Sequence, residues 1–147
     1  SSDLIKNKIM KNYYIKTFVV LILLISCSCK AQQMVQTTAD VYKLKDNEQR
    51  FINKPLKYLL SEIKPEIKIA VATRDYPDYF AFKFITVEEL KLLPIESNKT
   101  SLIVYVKEPI DWNFDNRPKG NEYSWTKDDV EKYGNLSVIR IKVIGKN

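Results

Sequence analysis

The sequence contains no histidine. That removes the Ser-His-Asp and Cys-His arrangements in which an imidazole takes the proton of a nucleophile. It also removes the usual zinc ligand sets, because no cysteine follows Cys29. Carboxylates, lysines, serines and tyrosines are left to do chemistry, and two stretches bring them together. Ser61 and Lys64 stand one helical turn apart, a spacing at which a lysine amine can take a serine proton. Residues 111–125 collect Asp111, Asn113, Asp115 and Glu122 with four aromatic residues, Trp112, Phe114, Tyr123 and Trp125, which include both tryptophans of the chain.

Ser61-Glu62-Ile63-Lys64 resembles the serine-lysine pattern of penicillin-binding enzymes. The resemblance implies a serine nucleophile, but Lys99-Thr100-Ser101 matches only half of the partner motif, no Ser-Asp-Asn is present, and the domain is far too short for that fold. A polar helix face is the expected role. Residues 111–122 resemble the calcium loop of an EF-hand. The resemblance places Asp111, Asn113, Asp115 and Glu122 at the loop positions that supply side-chain oxygens. Asn116 stands where that loop needs glycine for a sharp turn, Pro118 stands at the usual apolar position, and Arg117 and Lys119 oppose a divalent cation. The expectation is a polar, turn-forming loop with no cofactor, and calcium on those four residues is the alternative.

The aromatic residues of this stretch support a binding role. Connections of about 18 residues inside compact domains usually carry function. Rings beside Asp, Asn and Arg can stack on a sugar or anchor a peptide, and Tyr76 and Tyr79 would extend that surface. The competing role is ordinary core, with the rings covering an open sheet face.

These residues must be positioned by elements legible in the pattern. Leu56, Leu59, Leu60 and Ile63 fall on one face of a helix. Asn53 is the expected cap, Pro55 fits the first turn, and Pro65 ends the helix at Lys64. Residues 68–73 and 79–85 are β-branched or aromatic, and Arg74-Asp75-Tyr76-Pro77-Asp78 between them is turn chemistry, so they predict a hairpin. Thr86 with Glu89 and Thr126 with Asp129 are capping patterns that open two short helices, the second ending at Gly134. Residues 101–107 and 136–144 read as two more strands. Parallel crossovers need long connecting helices, and none is visible. The expected class is α+β, a four-stranded, mostly antiparallel sheet with short helices packed on one face.

The first 30 residues differ from the rest. Lys6, Lys8, Lys11 and Lys16 precede an apolar run at residues 18–25, followed by the small residues around Cys27. These are the three parts of a secretory signal peptide, and the apolar run is too short for a transmembrane helix. Met10 reads as the natural start, with residues 1–9 as upstream sequence. Leu24-Ile25-Ser26-Cys27 resembles a bacterial lipobox. The resemblance implies cleavage before Cys27 and acylation of that cysteine, and Ser28 after it implies delivery to the outer membrane. Cys29 is the alternative lipidated residue, and cleavage after Ala31 would release a soluble exported protein.

Four of the 24 basic residues and one of the 18 acidic residues precede Cys27, so half of the formal charge of +6 lies in the leader. The rest is mixed in sign without a basic stripe, which argues against nucleic acid as a partner. The expected organisation is a leader (1–26), a lipid anchor and polar tether (27–40) and one globular domain (41–147). The expected role is a non-enzymatic binding or accessory protein of the bacterial envelope, held to the membrane by its lipid, with an envelope protein, peptide or glycan as partner. The alternatives are a small glycan hydrolase using two carboxylates such as Asp111 and Glu122, and an inhibitor or immunity protein against an exported enzyme.

Overall fold

A computed structural model describes residues 1–26, 31–94 and 100–145. The chain falls into two units, Ser1–Gln32 and Gln33–Asn147. The first contains one helix, α1 (Ser2–Ser26). Among the described residues no helix is long and apolar enough to cross a membrane.

The second unit is α+β. Its strands are β1 (Ile69–Thr73), β2 (Tyr79–Lys83), β3 (Ser101–Val106) and β4 (Val138–Ile144). They form one antiparallel sheet in the order β1-β2-β3-β4. Each strand pairs with its predecessor, as connections without long crossovers require. Among the described residues four short α-helices accompany the sheet: α2 (Tyr42–Asp46), α3 (Leu56–Ser61), α4 (Val87–Leu92) and α5 (Lys127–Tyr133).

Strand alternation places Ala70, Phe80, Phe82, Leu102, Val104 and Ile141 on the inner face. There they are buried against Leu44 of α2, Leu56 and Leu59 of α3 and Tyr133 of α5. Helix α4 contributes no buried residue. Its start lies beside Ile69, which belongs to the opposite face of the sheet. In β4 the pairing shifts between Tyr105↔Arg140 and Val106↔Val138, so Ile139 is an extra residue, a β-bulge. The bulge brings Val138 onto the same buried face as Ile141, where simple alternation assigned them to opposite faces.

Local chemistry explains the helix starts. Thr86 Oγ1 accepts from the Glu89 N–H at 3.1 Å, and the Glu89 carboxylate accepts from the Thr86 N–H at 2.7 Å. Thr126 and Asp129 make the same reciprocal pair. Helix α3 departs from expectation. Its cap position is Pro55, which makes no side-chain cap hydrogen bond, while Asn53 takes a left-handed conformation with φ 61°. Its N–H donates to the Val138 carbonyl at 2.8 Å. Asn53 is drawn from the cap by this bond to β4.

The compact unit also starts earlier than polarity predicts, at Gln33 rather than Val41. Val35 is fully buried, and its N–H and carbonyl pair with the Glu62 carbonyl and Lys64 N–H, each at 2.9 Å. A single valine among polar residues carries no periodicity, so the contact is invisible until Ile63 is placed beside it.

Both sheet edges are covered in part. At β1 the Ala70 N–H donates to the Tyr123 carbonyl at 2.8 Å, and the Trp125 N–H donates to the Lys68 carbonyl. At β4 the Val138 N–H donates to the Lys54 carbonyl, and the Ile141 N–H donates to the Glu48 carboxylate at 2.6 Å. Such pairing removes edge groups that would otherwise template association with another strand.

Candidate functional site

The long connection between β3 and α5 wraps around Arg117. Its guanidinium donates to the Glu122 carbonyl at 2.7 Å, the Ser124 carbonyl at 2.6 Å and both Asp129 carboxylate oxygens at 2.8 and 3.0 Å. The guanidinium carbon stands 3.9 Å from the centre of the Trp112 ring. Planar forked donors and a stacking face are properties of arginine that lysine lacks. Burial pushes the Asp129 carboxyl up, but the bonds from Arg117 and from the Thr126 N–H and hydroxyl outweigh it and hold the group below its ordinary value. The same bonds with Asp129 raise Arg117. Both charges are therefore fixed at any ordinary pH.

The arrangement gives the connection an internal cation. The Glu122 carbonyl and the Asp129 carboxylate converge on a cation, and that cation is Arg117. Asn116 lies in a 3₁₀ turn (Phe114–Asn116) and not in a left-handed conformation. Asn113 Oδ1 accepts from the Asp115 N–H, and the Asp111 carboxylate lies 3.5 Å from Lys132 Nζ. Among the described residues no group of three acidic or cysteine side chains is placed to hold a metal ion.

The predicted aromatic set divides in two. Trp125 packs edge-on against Phe80 and Phe82, and Trp112 packs against Phe80 and Tyr133. Both tryptophans are thus partly buried and packed against the inner core. Phe114 and Tyr123 form a second pair, 5.1 Å apart and 41% and 40% exposed. Tyr76 is 96% exposed in the β1–β2 turn, beside a cis Tyr76–Pro77 bond. The turn joins the connection through Arg74, which donates to the Trp112 carbonyl at 3.1 Å, and through Asp78, which accepts from the Ile110 N–H at 2.8 Å. Tyr79 does not join this surface. It points to the opposite face of the sheet, where it packs on Tyr105 at 5.0 Å.

A groove of about 420 Å³ runs beside the connection, lined by Asp111, Asn113, Arg117, Asn121, Asp128 and Lys132 among others. Of the two carboxylates considered for acid–base chemistry, Asp111 lines this groove and Glu122 is not among its lining residues. The Gly120 N–H, and then the N–H of Glu122 itself, hold the Glu122 carboxyl below its ordinary value, and the Asp111 side chain is 83% exposed. Ser61 Oγ donates to the Tyr58 carbonyl at 2.7 Å, a backbone bond in place of a dyad with Lys64. Cys27, Cys29 and Lys99 lie outside the described residues.

Sequence reasoning missed Arg117 as the organiser of the connection. The signal available was its position between Trp112 and Asp129, but only the fold brings these together. Compared with known proteins, the chain matches no family model, no curated protein and no solved structure.

Proposed function

We propose that the chain is the precursor of a lipid-anchored protein of the bacterial envelope, probing its surroundings through binding and not through catalysis. The observation that carries the binding part is the division of labour in the β3–α5 connection. Its charged groups hold the loop rigid through Arg117 and Asp129, while the Phe114–Tyr123 pair stays exposed at its surface. Rings on a pre-organised loop lose little conformational entropy on contact, which favours recognition of a partner. The partner is an envelope protein, a peptide or a glycan. The basic leader, its apolar run and the Leu24-Ile25-Ser26-Cys27 motif support export and acylation at Cys27. Ser28 after that cysteine supports the outer membrane as its destination.

Two experiments test the two parts. Labelled palmitate fed to a Gram-negative host should appear on the protein, and Cys27→Ser should abolish the label and the membrane fraction. Label retained on Cys29 would place the anchor elsewhere. For binding, crosslinking of the full-length protein in its native envelope should yield one dominant partner, or a glycan array a bound glycan. The contact should weaken at least about tenfold in Phe114→Ala/Tyr123→Ala, as hot-spot rings require. Affinity unchanged in that variant, or a turnover abolished by Asp111→Ala, would overturn the binding reading.

A further inference from the structure

The positive charge that remains after the leader is concentrated in one stretch. From Cys27 onward the chain carries 20 basic and 17 acidic residues. Residues 50–64 hold four of those cations and one of the acids, and the remaining 16 of each sign balance. Helix α3 lies in that stretch. Lys54, Lys57, Ser61 and Lys64, on and around α3, follow at steps of three, four and three, the spacing of one helix side. All four are exposed. Among the described residues no acid forms an ion pair with Lys54, Lys57 or Lys64. The acids of this region are engaged elsewhere. Glu62 accepts from the Met34 N–H at 3.0 Å and stands 4.0 Å from Arg50. Asp40 pairs with Lys43 at 2.7 Å, and Glu66 pairs with Lys68. Tyr58, next to Lys57, adds an exposed ring 5.6 Å from that of Phe51.

The chain enters the compact unit on this same side. Gln33 Nε2 donates to the Ser61 carbonyl at 2.9 Å, and the Lys64 N–H donates to the Val35 carbonyl at 2.9 Å. Cys27 precedes Gln33 by six residues, which is about 20 Å of fully extended chain. An acyl group on Cys27 therefore holds the Ser61–Lys64 end of this side next to the lipid. At that distance weak contacts act at high effective concentration. Lysines are drawn to an anionic leaflet, and a tyrosine settles at headgroup level. We infer that the exposed side of α3 docks on anionic lipid headgroups, with Lys54, Lys57 and Lys64 as its charge contacts and Tyr58 at the interface. The choice of a lipid occupant rests on the lipid-anchor reading, while the charge surplus and the entry of the chain beside Ser61 stand without it.

The test uses the chain from residue 27 onward with Cys27→Ser, which keeps the whole described core because that core begins at Val35. It should co-sediment with phosphatidylglycerol vesicles and not with phosphatidylcholine alone. Raising salt from about 50 to 500 mM should release it, as screening of exposed charge requires. A lysine near an anionic surface contributes about fivefold. Lys54→Gln/Lys57→Gln/Lys64→Gln should thus lower the partition coefficient on the order of a hundredfold, with an unchanged melting curve. Lys91→Gln/Lys119→Gln/Lys142→Gln removes equal charge elsewhere and should cost less than about tenfold, and Phe114→Ala/Tyr123→Ala should cost nothing. Absence of sedimentation, equal binding to both lipids, a loss under about tenfold in the α3 variant, or an equal loss in the control triple would overturn the proposal. So would an acidic protein held through Lys54, Lys57 and Lys64 while vesicles stay unbound. Acyl mass on Cys27 is read separately, so failure on vesicles leaves the anchor standing, and an unmodified Cys27 leaves the vesicle result standing.

Discussion

Arg117 and Asp129 form a two-pronged ion pair, at 2.8 and 3.0 Å, between the long connection and the first turn of α5. Asp129 is at once the capping-box acid of α5 and the counter-ion of the loop. One carboxylate therefore couples helix initiation to loop closure. Its side chain is 8% exposed and that of Arg117 14%, so solvent screens the pair weakly. Arg117→Ala leaves a buried carboxylate without its partner and should lower stability by about 3 kcal/mol. Arg117→Lys should recover little, because one ammonium cannot reach both carbonyls and both carboxylate oxygens. Urea unfolding of the two variants checks this, and full stability in the lysine variant would refute it.

The same pair sets an acid limb. Asp129, Glu48 and Glu108 are all held below their ordinary values in the fold; burial opposes this in each, and the bonds from Arg117, from Lys45 and the Ile141 N–H, and from Ser137 prevail. A carboxyl depressed in the folded state contributes stability that is present above its unfolded pKa, about 4, and is lost as pH falls through the folded value. Stability should be flat near neutrality and decline below about pH 4. In Asp129→Asn the loss relative to wild type should be greatest at pH 7 and shrink towards pH 2. A difference independent of pH would assign the effect to packing instead of charge.

The aromatic residues should separate by location. Trp125→Ala empties a site packed against Phe80, Phe82 and Tyr133 and should lower stability by about 3 kcal/mol. Tyr76→Ala removes a ring that is 96% exposed and should change stability by less than about 0.5 kcal/mol. Thermal melts of both variants measure the contrast.

Gly134 ends α5 with φ −61°, so glycine is not needed there for a left-handed turn. It is needed for space. An added Cβ would stand 2.3 Å from the Val130 carbonyl oxygen and 3.1 Å from Lys57 Cβ. The Lys57 N–H donates to the Gly134 carbonyl at 2.8 Å, which holds α3 against the end of α5. Gly134→Ala should therefore destabilise by about 1–3 kcal/mol, the range for forced overpacking. A neutral result would mean that α3 can withdraw.

What the sequence by itself determined lies within a few residues of each signal. The four strands were legible because β-branched and aromatic runs report the sheet environment directly. Helices α4 and α5 were legible because Thr86 with Glu89 and Thr126 with Asp129 satisfy orphan N–H groups inside a single turn. Tertiary structure alone decided the rest, because those choices depend on groups distant in sequence. The bulge at Ile139 put Val138 on the buried face. Val35 joined the core through Glu62 and Lys64, and Asn53 left its expected cap for the Val138 carbonyl. Tyr79, predicted beside the tryptophans, was carried to the other face of the sheet by the register of β2. The connection was organised by its own Arg117, whose guanidinium folds onto Trp112 and Asp129 and satisfies the Glu122 and Ser124 carbonyls, contacts that no local pattern announces.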